Sequence, residues 1–156
     1  MSEIYSIAVV GLGNEFRGDD AVGLYIARRL KDKQMPGVRV IEGVSDGTTL
    51  IENWQDTRGA VLIDCVSSGD QVGKIHRFDA LTEDIPEEIF PAYSTHAFNI
   101  TDAVRLAATI GQLPPHLIVY GVEGATFSTG AKMSDRVITA ANRVLELVLK
   151  DIENFR

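Results

Sequence analysis

A single cysteine, Cys65, in 156 residues cannot form an intrachain disulfide, so the fold must be held by its core. No apolar run approaches the roughly 20 residues that a membrane-spanning helix needs. The opening Met1-Ser2-Glu3-Ile4-Tyr5 also lacks the basic segment and long apolar stretch of an export signal, so a cytoplasmic protein is expected. Basic residues are outnumbered, 15 Lys and Arg against 22 Asp and Glu, for a formal net charge of -7. Phosphate neutralisation needs clustered Lys and Arg, so nucleic acid is not an expected partner; peptides, small molecules or cations are. There is no internal repeat, low-complexity tract or linker. With 45% hydrophobic and 24% charged residues, the composition is that of one soluble globular domain spanning 1–156.

Hydrophobic periodicity predicts alternating strands and helices. Ile4 to Val10 reads as a buried strand, followed by a glycine turn and a helix over Ala21 to Lys33 with Val22, Tyr25, Ile26 and Leu30 at helical spacing. Asp19 or Asp20 is available to cap that helix. Val38 to Glu42 is a second strand, Thr49 to Trp54 a short helix, and Ala60 to Asp64 an unbroken apolar strand ending in a carboxylate. Gly73 to Phe78 follows too closely for a crossover and should return as an antiparallel edge strand. Residues 79–95, with Pro86 and Pro91, read as a long loop. A helix over Ala97 to Ile110, a strand over Leu117 to Val122 and a long helix from Ser134 complete the chain. The fold expected is a three-layer α/β/α sandwich with a mostly parallel sheet.

In such a sheet, ligands bind beyond the carboxyl ends of the strands. Here the first strand runs into Gly11-Leu12-Gly13-Asn14 and then Asp19-Asp20. Two carboxylates repel a phosphate and attract a cation, and Phe16 stands where a dinucleotide fingerprint needs its third glycine. Asp20, Asp64 and His96 each fall near a strand end or a helix start. Singly, each has an ordinary structural explanation as cap, turn anchor or loop histidine. Together they make an oxygen and nitrogen donor set suited to a divalent transition metal such as zinc or nickel.

At these residues the sequence resembles the hydrogenase maturation endopeptidases, which remove a carboxy-terminal extension from the large subunit of nickel-iron hydrogenases. The resemblance covers most of the chain. It rests on the run from Gly11 to Gly23, with its GxGN, four-residue spacer and acidic pair, and on Leu62-Ile63-Asp64, Ser94-Thr95-His96 and Gly121-Val122-Glu123-Gly124 in the same order. Ala21 stands where the family more often has glycine. The resemblance implies that Asp20, Asp64 and His96 form the catalytic, nickel-recognising site, and that the nickel arrives already installed in the precursor of the hydrogenase large subunit. No organic cofactor is expected. It further implies that the scissile peptide lies against the turn bearing Gly11, Gly13 and Asn14. Glu42, in Glu42-Gly43-Val44-Ser45, is a secondary candidate for substrate binding. The implied chemistry is metal-assisted hydrolysis, in which the ion polarises a carbonyl or water and a carboxylate takes a proton.

Other reactive residues read as structural. Cys65 should alternate to the face opposite Asp64 and pack inertly; His76 and His116 should be surface or structural; Glu15 could touch substrate; Glu123 could bond the amides of the Gly121 to Gly124 turn; Arg28-Arg29 should form a solvated helix face. Two other readings stay open. The GxGN opening is also similar to that of bacterial peptidyl-tRNA hydrolases, although their later histidine pattern is missing and the acidic charge suits tRNA poorly. The second is a metal-binding module without peptidase activity.

Overall fold

A computed structural model of the protein describes residues 6–44, 46–90 and 100–156. Five strands, β1 Ile7–Gly11, β2 Val38–Glu42, β3 Gly59–Val66, β4 Ile75–Asp79 and β5 Leu117–Glu123, form one sheet in the order β2-β1-β3-β5-β4. β1, β3 and β5 are apolar almost without interruption because both faces are covered. Helices α1 Val22–Asp32 and α4 Asp135–Phe155 cover one face, over Val9, Ile63 and Tyr120. Helices α2 Gly47–Trp54 and α3 Ile100–Thr109 cover the other, over Val10, Leu62 and Val119. Each helix buries one stripe: Val22, Ile26 and Leu30 on α1, and Val137, Ala141, Val144, Val148 and Ile152 on α4. The expected three-layer sandwich is therefore the observed one. Among the described residues, no helix is long and apolar enough to cross a membrane.

Four strands are parallel, and β4 pairs antiparallel with β5 at the sheet edge, as its short connection requires. The strand order reverses at β1. The chain leaves β1 for β2 on one side, then returns to lay β3 and β5 on the other. This opens a crevice between the carboxyl ends of β1 and β3, the switch point where doubly wound sheets bind ligands.

The boundaries differ from the sequence reading in informative ways. β3 continues through Cys65 and Val66, which pair with Val122 and Glu123, so Asp64 lies inside the strand rather than at its end. The first turn after the glycine motif is a short 3₁₀ helix, Gly18–Ala21, that carries both aspartates and precedes α1. Neither aspartate caps it. The helix expected from Ala97 is described from Ile100 onward, and His96 lies in 91–99, outside the described residues.

Candidate active site

Two carboxyl groups flank the switch-point crevice. Asp20 comes from the 3₁₀ turn after β1, which packs on β3, and Asp64 comes from β3 itself. Asp64 shares the parity of Ala60 and Leu62, which face α2 and α3, while Cys65 turns into the α1 and α4 core. Asp20 is almost wholly buried, and its carboxylate receives one described hydrogen bond, from the Asn14 N–H at 3.1 Å. The Cys65 N–H bonds to Asp64 at 2.7 Å.

Few donors in a buried setting raise the pKa of both acids. Burial pushes Asp20 up to about 6, partly offset by the Asn14 N–H and the charge of Arg17. Burial pushes Asp64 up to about 8, and the negative charge of Asp20 adds to the rise. The two carboxyls therefore sense each other across the crevice and cannot both ionise cheaply until a cation joins them. Carboxylate oxygens with an imidazole nitrogen fit a divalent first-row metal. Among the described residues no three His, Cys, Asp or Glu side chains converge on a metal position; Asp20 and Asp64 lie close enough for the charge of Asp20 to act on Asp64.

The glycines of the motif serve the protein first. A methyl group at Gly11 would collide with the Gly23 carbonyl of α1, and Gly11 is buried with its own carbonyl accepting from the Gly43 N–H at 2.7 Å. Gly11 therefore has a packing role at the end of β1. Gly13 adopts φ +125°, where a side chain would strike the Asp20 carbonyl. Gly13 and Asn14 are the motif positions that reach the surface.

Glu42 lies across the register from Gly11 and is held by Arg28 and, at 3.7 Å, by Lys31. Arg28 also binds Glu15 at 2.8 Å, so the helix face read as merely solvated carries a rim of linked charges. Cys65 is buried, and its thiol is pushed up by burial and then by the surrounding carboxylates, Asp64 first among them. It behaves as packing. Glu123 departs from the expected turn role. It is buried at the end of β5 and accepts from the Ser68 N–H at 2.7 Å, from the Ser68 hydroxyl and from His76 Nε2 at 3.1 Å. His76 is thereby structural, as expected, but partly buried rather than on the surface.

Asp19, read from the sequence as an available helix cap, has a different role. Its side chain is wholly buried and accepts from the N–H groups of Ala125 at 2.8 Å, Thr126 at 3.0 Å and Ser134 at 2.6 Å, and from the Ser134 hydroxyl at 2.8 Å. Burial alone would push its carboxyl up, but these donors outweigh it and hold the pKa below its ordinary value. Ser134, directly before α4, gives its hydroxyl to Asp19 and leaves its own helix without a side-chain cap.

With this geometry in place, comparison with known proteins is decisive. The family model HycI, hydrogenase maturation protease, matches residues 23–151. The chain belongs to the hydrogenase maturation protease family. A Methanocaldococcus jannaschii protein provisionally named a hydrogenase maturation protease is 25% identical over 155 residues, covering 94% of this chain and 96% of that one. The hydrogenase expression/formation protein HupD of Thiocapsa roseopersicina is 22% identical over 153 residues, covering 96% of this chain and 68% of its own. The fold matches the hydrogenase maturating endopeptidase HybD from E. coli with a TM-score of 0.79 at 22% identity, over 95% of this chain and 92% of that one. It also matches the hydrogenase maturation protease HycI from Thermococcus kodakarensis with a TM-score of 0.68 at 24% identity, over 92% and 90%. As a maturation protease the chain is a peptidase, which sets aside the peptidyl-tRNA hydrolase reading and the inactive module.

Proposed function

We propose that this maturation protease removes a carboxy-terminal extension from the nickel-loaded precursor of a nickel-iron hydrogenase large subunit. The observation that carries the proposal is the pair of carboxyls at the switch point, Asp20 buried and Asp64 partly buried, both raised in pKa, in a chain of this family. Nickel belongs to the substrate. Asp20 and Asp64, with His96 as the third expected donor, complete the coordination of an ion already held by the precursor's thiolates. Docking through that ion sets the scissile peptide against Gly13 and Asn14. The nickel polarises the carbonyl or a water, and a carboxylate oxygen takes the proton.

Binding a cation also offsets the burial that, with the charge of Asp20 acting on Asp64, favours the protonated carboxyls, so recognition and carboxylate ionisation are linked. The protease thereby reads the metal before it cuts. Mass spectrometry of the precursor, incubated with the protease before and after nickel loading, tests this reading. Release of a short carboxy-terminal peptide is expected from loaded precursor only, and to be lost in Asp20→Ala, Asp64→Ala and His96→Ala. Equal cleavage of nickel-free precursor would refute nickel gating.

A further inference from the structure

We propose that Asp19 is a positioning residue for the nickel site: it clasps the turn bearing Asp20 to the segment between β5 and α4, and so sets the direction of the Asp20 carboxylate. The inference rests on the reading of Asp20 as a nickel-binding group and extends the site to residues 124–134.

Asp20 has little to orient it. Its described carboxylate partner is the Asn14 N–H, from the same loop. Asp19, one residue earlier, is fixed by three backbone N–H groups and a hydroxyl, all more than 100 residues away in the chain. Its own N–H donates to the Thr126 carbonyl at 2.7 Å, and the Gly130 N–H donates to the Phe16 carbonyl at 2.8 Å, so the backbone is tied both within the spacer and just after it. Gly124 lies so close that a methyl group there would stand 2.8 Å from Asp19 Cβ.

Successive residues of a 3₁₀ turn point about 120° apart. Locking Asp19 into the 124–134 segment therefore leaves Asp20 one direction, toward the crevice and Asp64. The arrangement parallels the outer-shell partners that orient metal ligands, whose loss typically costs roughly 10–100-fold in affinity or activity. Here the oriented group is the neighbouring residue, reached through the backbone.

The test compares Asp19→Asn and Ser134→Ala with the parent, at a temperature where circular dichroism shows each fully folded. An asparagine places an amide NH₂ against N–H donors, and Ser134→Ala removes one of the four bonds. Expected for Asp19→Asn is a kcat on loaded precursor lower by roughly 10–100-fold with KM little changed, a smaller loss in Ser134→Ala, and recovery in Ser134→Thr, which keeps the hydroxyl. The Asn14 amide resonance, which reports its bond to Asp20, should shift in Asp19→Asn. Parental kcat in folded Asp19→Asn, or a loss that vanishes once corrected for the folded fraction, overturns the proposal. Should Asp19→Asn not fold, Ser134→Ala and its threonine rescue decide alone. A parent that cuts no loaded precursor refutes the proposed function instead; an unmoved Asn14 amide in Asp19→Asn then refutes the clasp independently of activity.

Discussion

Asp19 and Asp20 are adjacent in one 3₁₀ turn and both are buried, yet their surroundings are opposite. Asp19 faces a segment that supplies four donors, and its carboxyl is held below its ordinary pKa. Asp20 has one described carboxylate donor, from its own loop, and faces a second acid, Asp64, and both carboxyls are pushed up. A buried charge whose two oxygens both accept hydrogen bonds contributes to the fold. Buried acids left short of donors cost stability, and a protein retains them for a ligand that will complete them.

The contrast can be broken from either side by pH. For Asp19 the folded pKa lies below the unfolded value, so its contribution is fully present above the unfolded pKa of about 4 and is lost as pH falls through the lower folded value. Asp19→Ala leaves several buried donors unsatisfied at about 1–3 kcal/mol each. It should therefore lose about 3 kcal/mol or more at neutral pH, with the gap closing in acid. For Asp64 the sign reverses. Its folded pKa of about 8 lies above the unfolded value, so the native state binds the extra proton and stability falls as pH rises from about 4 toward 8. Asp64→Asn should be more stable than the parent by an amount that grows over that window, on the order of a few kcal/mol. Urea denaturation at pH 3, 5 and 8 checks both, and parallel pH profiles for the two variants would erase the distinction.

The smallest effect is expected at the rim. Glu42 is engaged by Arg28 and Lys31, in pairs with side chains 27% to 63% exposed. Such pairs are worth about 0–1 kcal/mol. Glu42→Gln should leave the melting temperature nearly unchanged and raise the KM for precursor by less than about threefold, near 0.6 kcal/mol. A tenfold rise in KM would instead make Glu42 a principal substrate contact.

Much of the architecture was legible because local patterns carried it. The apolar runs of β1, β3 and β5, the antiparallel return of β4 and the stripe of α4 follow from residues close together in sequence. β2 has the bounds its alternation predicts. Asp20 and Asp64 were identifiable because glycine motif, strand and acid follow in order, and the sheet order then places both at the switch point. The clasp was not legible. Its partners lie 106 to 115 positions from Asp19 and are mainly backbone amides, which carry no residue signature. The Glu123 network was missed for a related reason, since Ser68 and His76 meet it only after β4 folds back on β5.

If Asp20 and Asp64 bind the nickel carried by the precursor, the coordination shell of that nickel must change when the protease docks. X-ray absorption at the nickel edge, on loaded precursor alone and with an excess of parent protease or of the Asp20→Ala, Asp64→Ala double variant, tests it most directly. Oxygen or nitrogen scatterers are expected to join the thiolate shell when the parent binds and to be missing with the double variant. A nickel shell left unchanged by the parent, while the precursor is still cut, would contradict it.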